Sequence, residues 1–249
     1  MTALEIDSVS VKFGQFEVVR EVTFSVDSGE VVSLIGPNGA GKTTLFNVIT
    51  GWVRPSAGEI RLAGQSISGF DSATISRRGV GRTWQVARPF SALTVEQNVI
   101  VGLGRSHYQS PWGLWARART DERIHKAQAL LKGVGMPPPY DRLASGLPVG
   151  HLRLLEVARV LATDPKIVLL DEPAAGLREA ETAQLEKVID DLRNRGLAVL
   201  LVEHNVPLAM RVADRTVVLA EGRILADGPP EIVRQSPEVI AAYLGEPNA

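Results

Sequence analysis

Hydrophobic residues follow two patterns along the chain, and each predicts a different kind of strand. In the first pattern, apolar residues alternate with polar ones at Leu4, Ile6, Val9, Val11 and Phe13, and again at Val22, Phe24 and Val26. This alternation predicts half-buried antiparallel strands. The second pattern consists of nearly continuous apolar runs at residues 31–35, 167–170 and 197–202. These runs are typical of parallel strands that are covered on both faces.

A third periodicity predicts helices between the strands. Apolar residues recur at helical spacing at Leu154, Val157, Ala158 and Leu161, and at Leu185, Val188, Ile189 and Leu192. Such stripes favour helices with one face toward the core. Residues 92–102 and 121–134 are also predicted to be helical, and no strand is predicted between residues 75 and 143. Near the end of the chain, Glu221 and Gly222 are predicted to form the turn of a hairpin.

These elements predict one α/β domain spanning residues 1–249, with a mixed, largely parallel sheet and an N-terminal antiparallel β subdomain. Residues 1–84 and 163–249 are expected to form the core, and residues 85–162 an inserted helical subdomain. Residues 104–120, with Pro111, Trp112 and Trp115, separate the two predicted helices of the insert.

A glycine-rich stretch lies directly between the apolar run at residues 31–35 and a following helix. It reads Gly36, Pro37, Asn38, Gly39, Ala40, Gly41, Lys42, Thr43 and Thr44. Glycines let successive N–H groups converge on an anion, and the start of the helix favours negative charge at the same place. The stretch matches the phosphate-loop pattern G-x-x-x-x-G-K-[ST], in which the lysine reaches the phosphates and Thr43 offers a hydroxyl to magnesium. A glycine-rich turn with an incidental lysine is the simpler alternative, but it does not explain both flanking elements.

Two further strands end in residues suited to phosphate chemistry. Residues 167–170 are followed by Asp171 and Glu172, and residues 197–202 lead through a glutamate to His204. Since ligands gather at the carboxyl ends of parallel strands, these side chains are expected beside the phosphate loop. Asp171 is expected to face the metal, Glu172 to polarise the attacking water, and His204 to contact the γ-phosphate. A strand that merely ends at a solvated turn would also carry such acids.

Composition narrows the function classes. The 249 residues include 27 basic and 28 acidic side chains, so the net charge of −1 offers no global attraction to nucleic acid. The absence of cysteine excludes disulfides and thiolate metal sites. No segment reaches the roughly 18 uncharged apolar residues that a membrane span requires, and no export signal is expected.

Taken together, these motifs resemble the ATP-binding subunits of ABC transporters, in order and approximate spacing. The resemblance spans about residues 4–244 and implies an ATPase that uses ATP and magnesium. It implies that Phe13 stacks on adenine, although this residue could equally be ordinary core. It also implies that Gln85 is a ligand of magnesium and water, that Glu172 is the catalytic glutamate, and that His204 is the switch histidine.

Two positions depart from the family pattern. The signature, usually Leu-Ser-Gly-Gly-Gln, caps a helix that contacts ATP held by the opposing subunit, and here it reads Leu147-Pro148-Val149-Gly150-His151. Pro148 has neither a hydroxyl nor an N–H, whereas Gly150 keeps a backbone donor for the phosphate. Arg178 stands where the family commonly has an aspartate.

Several longer segments, among them GRTWQVARPFSALTVEQNVIVG and LLVEHNVPLAMRVADRTVVLAEGRILADGPPEIV, resemble the ATPases of branched-chain amino acid importers. Urea and lipopolysaccharide-export ATPases share much of this pattern. The resemblance implies a homodimer, or a heterodimer with a paralogous ATPase, docked on transmembrane permease subunits at the cytosolic face of the membrane. A cargo-binding protein would be reached only indirectly. Arginines 77, 78, 82 and 88 with Trp84 form a candidate permease-facing surface, and a plain solvated basic face is the alternative.

Two other classes of protein compete with a transport ATPase. A DNA-repair or chromosome-structure ATPase would share the nucleotide core, but such proteins usually carry coiled-coil arms or zinc modules, and this chain has neither heptads nor cysteines. A nucleotide-switched regulatory subunit with little turnover would fit the altered signature. The presence of Glu172 and His204 argues against that reading.

Overall fold

The computed structural model describes residues 1–85, 88–104 and 121–244. Its N-terminal part is an antiparallel sheet with the strand order β2-β1-β4-β5. The strands are β1 (Thr2–Phe13), β2 (Phe16–Asp27), β4 (Ala57–Leu62) and β5 (Gln65–Ser66). Because one face of β1 and β2 is buried and the other exposed, the alternation of their sequences is accounted for, and the predicted antiparallel strands are confirmed.

The second sheet has the strand order β10-β9-β3-β8-β7-β6. Its strands are β3 (Val31–Ile35), β6 (Val80–Arg82), β7 (Ile167–Asp171), β8 (Ala198–Val202), β9 (Arg215–Ala220) and β10 (Arg223–Gly228). All neighbouring pairs are parallel except the final hairpin of β9 and β10. Every residue of β3, β7 and β8 is buried, which explains their continuous apolar runs. The predicted mixed, largely parallel α/β fold is confirmed.

Helices occupy most of the connections. They are α1 (Lys42–Ile49), α2 (Ser72–Arg78), α3 (Val95–Leu103), α4 (Asp121–Gly133), α5 (Val149–Leu161), α6 (Glu179–Asn194), α7 (Val206–Val212), α8 (Pro230–Val233) and α9 (Pro237–Leu244). Thr94 begins α3 with a capping box, since its hydroxyl accepts from the Gln97 N–H and the Gln97 side chain accepts from the Thr94 N–H. The predicted helical stripes of α5 and α6 face the core.

Strand β6 corrects the sequence interpretation, which placed no strand between residues 75 and 143. Val80, Gly81 and Arg82 pair in parallel with Ile167, Val168 and Leu169 at the edge of the second sheet. A β-carbon on Gly81 would lie 2.5 Å from a methyl group of Val160 in α5. Close packing by α5 therefore calls for a glycine here, and a three-residue strand containing glycine has no detectable period.

The two faces of the parallel sheet are covered differently. One face packs with α1 and the antiparallel sheet, in a cluster that includes Phe46, Ile49 and Leu200. The other face packs with α3 to α6, in a cluster that includes Val99, Leu155 and Leu201. Helices α3, α4 and α5 thus lie together on one side of the sheet. The subdomain boundaries at residues 84/85 and 162/163 stay predictions, and the Trp-bearing segment 105–120 lies outside the described residues.

In the part of the chain that the structure describes, no helix combines the length and the apolar character needed to cross a bilayer.

Candidate nucleotide site

The glycine-rich loop connects the end of β3 at Ile35 to the start of α1 at Lys42. Gly36, Gly39 and Gly41 all have positive φ angles, of 153°, 80° and 105°. This region is favourable only for glycine, and Gly36 and Gly41 also approach neighbouring backbone closely. A β-carbon on Gly36 would overlap the carbonyl oxygen of Leu219, and one on Gly41 would lie 2.9 Å from the carbonyl oxygen of Val18.

The side chain of Lys42 lies over the same loop. Its ammonium donates to the carbonyl oxygens of Gly36 at 2.6 Å and Pro37 at 3.0 Å, and the residue is 6% exposed. Burial lowers the pKa of Lys42, and the neighbouring Glu172 carboxylate opposes that shift. The loop therefore combines glycine-specific backbone conformations at the start of a helix with one positive charge, which suits a polyphosphate.

Asp171 ends β7 at the carboxyl edge of the parallel sheet and is 5% exposed. Its Oδ2 accepts from the guanidinium of Arg82 at 2.8 Å, and its backbone N–H donates to the hydroxyl of Thr83. The same guanidinium donates to Asn47 Oδ1 at 2.8 Å and to Thr50 Oγ1 at 3.0 Å. Arg82 is thus a buried partner of the metal-binding candidate.

This position corrects the interpretation of Arg82 as a member of an exposed basic surface. Only 5% of its side chain is exposed. No sequence signal placed it beside Asp171, because the pairing of β6 with β7 brings the two residues together over 89 positions of the chain.

Glu172 contacts both of the other predicted catalytic residues, Gln85 and His204. Its Oε2 accepts from Gln85 Nε2 at 2.7 Å, and its Oε1 lies 2.6 Å from His204 Nε2. Glu172 has a positive φ of 47°, and its N–H donates to the carbonyl oxygen of Val202 on the neighbouring strand. This backbone conformation is uncommon for a residue other than glycine and is found at active sites. The carboxylate is held between an amide and an imidazole, at the point where β7 and β8 end.

Glu203 is a further residue of the site that sequence reasoning did not assign. Its Oε1 accepts from the Ala174 N–H at 2.7 Å, and it is 4% exposed. Burial raises the pKa of Glu203, and hydrogen bonds from backbone N–H groups oppose the shift. The carboxylate ties the loop after Glu172 to the loop that carries His204. The position of Glu203 directly before His204 in the sequence is the signal that could have assigned it to the site.

The three predicted magnesium ligands line one cavity. Thr43, Gln85 and Asp171 face the same groove, which has a volume of about 770 Å³. A hydroxyl, an amide oxygen and a single carboxylate are oxygen donors of the kind that magnesium uses when phosphates and waters complete its coordination. The described residues contain no cluster of three or more His, Cys, Asp or Glu side chains that would hold a metal without such help. The donor set therefore fits magnesium held jointly with a phosphate.

Phe13 lies at the end of β1, opposite Phe16 across the hairpin. The two residues are 51% and 80% exposed, so Phe13 is not an ordinary core residue. An exposed aromatic face is available for stacking, and its contact with adenine stays a prediction.

The altered signature occupies the start of α5. Pro148 takes the N-cap position with no side-chain capping bond, and Gly150 is buried in the first turn. A β-carbon on Gly150 would collide with the carboxylate of Glu181 in α6. The proline therefore forms the N-cap of this helix. Arg178 caps α6, where its N–H donates to Glu181 Oε2 at 2.8 Å.

Helix α5 also holds the backbone around Gln85. Arg153 donates to the carbonyl oxygens of Trp84 at 2.8 Å and Gln85 at 2.5 Å, and Glu156 accepts from the Trp84 N–H at 2.8 Å. Burial raises the pKa of Glu156, and the hydrogen bond from Trp84 opposes the shift. These contacts join the helix that begins at the signature to the residue that bonds Glu172.

Similarity to known proteins identifies the family of this chain. The family model described as ABC transporter matches residues 19–175, and one described as Branched-chain amino acid ATP-binding cassette transporter matches residues 223–248. The chain belongs to the ABC transporter family. This cassette is 41% identical to the high-affinity branched-chain amino acid transport ATP-binding protein LivG of Escherichia coli (strain K12), over 98% of both chains.

Two further similarities bear on the cassette. It is 37% identical to the lipopolysaccharide export system ATP-binding protein LptB of Haemophilus influenzae, over 99% of this chain and 98% of that one. It also superimposes with a TM-score of 0.86 on the ADP conformation of MJ1267, an ATP-binding cassette of an ABC transporter. That protein is 30% identical, and the match covers 99% of this chain and 100% of that one. The cassette is therefore an ATP-binding, ATP-hydrolysing subunit of the ABC type.

Proposed function

We propose that this cassette hydrolyses ATP to drive the import of branched-chain amino acids through a membrane permease. The observation that carries the catalytic part is the contact of Glu172 with both Gln85 and His204. The cargo is inferred from the similarity to LivG and from the family model that matches residues 223–248.

Each residue of the site has a distinct task on this proposal. The N–H groups of residues 36–44 and the ammonium of Lys42 bind the phosphates, and Phe13 stacks on adenine. Glu172 polarises the attacking water, Gln85 and His204 fix the Glu172 carboxylate, and His204 also contacts the γ-phosphate. The Gln85 and His204 contacts of 2.7 and 2.6 Å support this assignment because they leave the carboxylate little freedom.

Thr43, Gln85 and Asp171 would hold magnesium together with the phosphates. The ion, when bound, neutralises charge that develops on the transferred phosphoryl group. Asp171 is oriented for this by Arg82 and Thr83, which hold its Oδ2 and its backbone N–H.

We further propose that two cassettes face each other head to tail, as a homodimer or with a paralogous ATPase. The start of α5 would then contact ATP bound by the opposing cassette. Its backbone N–H groups and helix dipole attract anions, and Gly150 keeps the backbone free of a side chain there. Loss of the γ-phosphate would release the two halves.

The permease is proposed to dock, on the cytosolic face of the membrane, at the same groove that Thr43, Gln85 and Asp171 line. Trp52, Trp84, Arg88 and Phe90 line this groove, and Trp52, Trp84 and Phe90 are at least 39% exposed. Exposed aromatic residues grouped with arginine are typical of protein interfaces. Arg153 and Glu156 hold the backbone of Trp84 and Gln85, so a partner in this groove would lie beside the catalytic residues.

Uptake in reconstituted vesicles tests the function. The cassette is co-purified with its permease, placed in liposomes with ATP, and offered labelled leucine, isoleucine and valine together with a cognate binding protein. ATP-dependent accumulation that disappears with Lys42→Ala supports the proposal. ATP hydrolysis without amino acid uptake, or with urea uptake or lipopolysaccharide extraction in its place, would overturn the cargo and leave the ATPase intact.

A further inference from the structure

Phe16 is a strongly exposed aromatic residue that has no task in the proposed function. It begins β2 directly opposite Phe13, the last residue of β1, and it is 80% exposed. Residues that are paired across two antiparallel strands project from the same face of the sheet. The next pair, Lys12 and Glu17, projects from the opposite face and forms an ion pair at 3.6 Å. The rings of Phe13 and Phe16 are therefore neighbours on one face of the hairpin.

The face that carries the two rings is also the face that packs on the phosphate loop. Val11 lies two residues before Phe13 on β1 and pairs with Val19 of β2. Both valines are buried in the same cluster as Ala40 of the loop, and a methyl group of Val19 would lie 3.3 Å from a β-carbon on Gly41. Because alternate residues of a strand share a face, the two rings continue this buried face beyond the edge of the core.

Backbone hydrogen bonds hold the hairpin of β1 and β2 in a fixed position relative to the phosphate loop. Gly222 lies in the turn between β9 and β10, and its N–H donates to the carbonyl oxygen of Ala40 at 3.1 Å. The carbonyl oxygen of Gly222 accepts from the Arg20 N–H of β2 at 2.7 Å. A single residue thus bonds both the loop and β2, so the exposed rings and the phosphate loop have a defined separation.

The two rings are free to accept a planar ligand. Among the residues that the structure describes, neither Phe13 nor Phe16 stacks on the other or on a further aromatic ring. Nucleic-acid bases stack on aromatic side chains through their π-faces. A purine consists of two fused rings, whereas a pyrimidine has one. A pair of phenyl rings side by side therefore offers a purine more contact than it offers a pyrimidine.

We infer that Phe16 is a second base-binding residue, which extends the contact of Phe13 and favours purine over pyrimidine nucleotides. The inference rests on the proposed function, in which the phosphates bind to residues 36–44 and adenine stacks on Phe13. The base of a nucleotide held in this way lies at the end of the hairpin where both rings are exposed. Removal of Phe16 should weaken the binding of purine nucleotides and spare the phosphate contacts.

A protein partner is the other kind of ligand that exposed aromatic residues commonly bind. If Phe16 contacted only a protein, its removal would leave nucleotide binding by the isolated cassette unchanged. Nucleotide affinity of the cassette alone therefore separates the two roles. Since Phe16 is 80% exposed, its removal takes no side chain out of the core.

The first experiment measures the binding of ADP, GDP, CDP and pyrophosphate to the cassette by calorimetry in the presence of Mg²⁺. We expect Phe16→Ala to weaken ADP and GDP about fivefold and CDP less than about twofold, and to leave pyrophosphate unchanged. Glu17→Ala is the matched control, because Glu17 lies on the other face of the same hairpin. Phe16→Trp keeps an aromatic ring and should retain the affinity for ADP.

Three results of this experiment would overturn the inference. They are unchanged ADP binding in Phe16→Ala, an equal loss of affinity for ADP and pyrophosphate, and an equal loss for ADP in Glu17→Ala. Absence of both ADP and pyrophosphate binding in the wild-type cassette would instead refute the proposed function, and the inference with it.

The second experiment tests whether the two rings contact the same base. Phe16→Ala is introduced into the wild type and into Phe13→Ala, and the affinities for ADP are compared. If both rings hold one base, removal of Phe13 also removes the position from which the base reaches Phe16. The loss caused by Phe16→Ala should then fall from about fivefold to less than about twofold. A loss of the same size in both backgrounds would overturn the shared contact.

Discussion

His204 Nε2 lies 2.6 Å from Glu172 Oε1, while Gln85 holds the other oxygen of the same carboxylate at 2.7 Å. His204 is half exposed and Glu172 nearly buried, so the pair spans the boundary between the protein interior and the nucleotide side of the sheet. A base that is fixed from both sides is ready to polarise water without first ordering its side chain.

Replacing His204 by alanine should slow hydrolysis and spare binding. The change removes one contact to the Glu172 carboxylate and the proposed contact to the γ-phosphate, so we expect kcat to fall by about 10²–10³-fold. The dissociation constant for ADP should change little. His125→Ala is the matched control, because His125 is an exposed residue of α4. Comparable turnover in the two variants would contradict the role of His204.

Glu203 allows the importance of a single acceptor to be measured. Glu203→Leu leaves the Ala174 N–H without its partner, and we expect a loss of about 1–3 kcal/mol in the free energy of unfolding together with a lower kcat. Glu203→Gln keeps an oxygen at that position and should retain most of the wild-type kcat. Urea unfolding and steady-state ATPase assays check both effects. If glutamine and leucine reduce kcat equally, the acceptor is not what positions the loop.

The effect of Glu203→Gln on the free energy of unfolding should depend on pH, and the raised pKa of Glu203 fixes the sign of this dependence. Burial raises the pKa of Glu203, so the folded state binds this proton more tightly than the unfolded state does. The contribution of Glu203 to stability is therefore largest below the ordinary carboxyl pKa and is lost as pH rises through the raised pKa. The free energy of unfolding of wild type minus that of Glu203→Gln should therefore fall as pH rises from the ordinary carboxyl pKa through the raised pKa of Glu203.

Pro148 is expected to weaken contact between two cassettes. Pro148→Ser restores a hydroxyl and an N–H at the cap of α5, where the opposing ATP would lie. We expect ATP-induced dimerisation, measured by sedimentation, to tighten. Pro137→Ser is a control at an exposed proline away from α5. Unchanged or weaker dimerisation in Pro148→Ser would count against the proposed contact.

Two glycines of the phosphate loop separate the energetic cost of a steric clash from the cost of a positive φ angle. Gly36→Ala places a methyl group into the Leu219 carbonyl at a positive φ, and we expect a loss of about 2–5 kcal/mol in the free energy of unfolding. Gly39→Ala has the positive φ without any neighbour within 4 Å, so its cost should be about 1–2 kcal/mol. Denaturant unfolding without nucleotide measures both. Equal costs would show that the close approach of Leu219 is unimportant.

Local patterns were sufficient for most of the fold and for the phosphate loop. The loop is contiguous, and the strands that end at Asp171 and before His204 are apolar throughout, so their edge of the sheet was predictable. The burial of Arg82 and the hydrogen bond from the Ala174 N–H to Glu203 could not be predicted from the sequence. Both depend on which strands are neighbours, and Arg82 lies on a three-residue strand in which Gly81 leaves room for the close packing of α5. Phe13 is likewise exposed because it lies at the tip of the hairpin formed by β1 and β2.

Glu172 is proposed to activate water for ATP held between two cassettes. Sedimentation velocity of Glu172→Gln with Mg-ATP, paired with phosphate release from the same sample, tests this role. We expect the variant to bind ATP, to accumulate as a dimer and to release phosphate about 10²–10⁴-fold more slowly than wild type. A variant that stays monomeric with bound ATP, or that hydrolyses it at the wild-type rate, would contradict this role of Glu172.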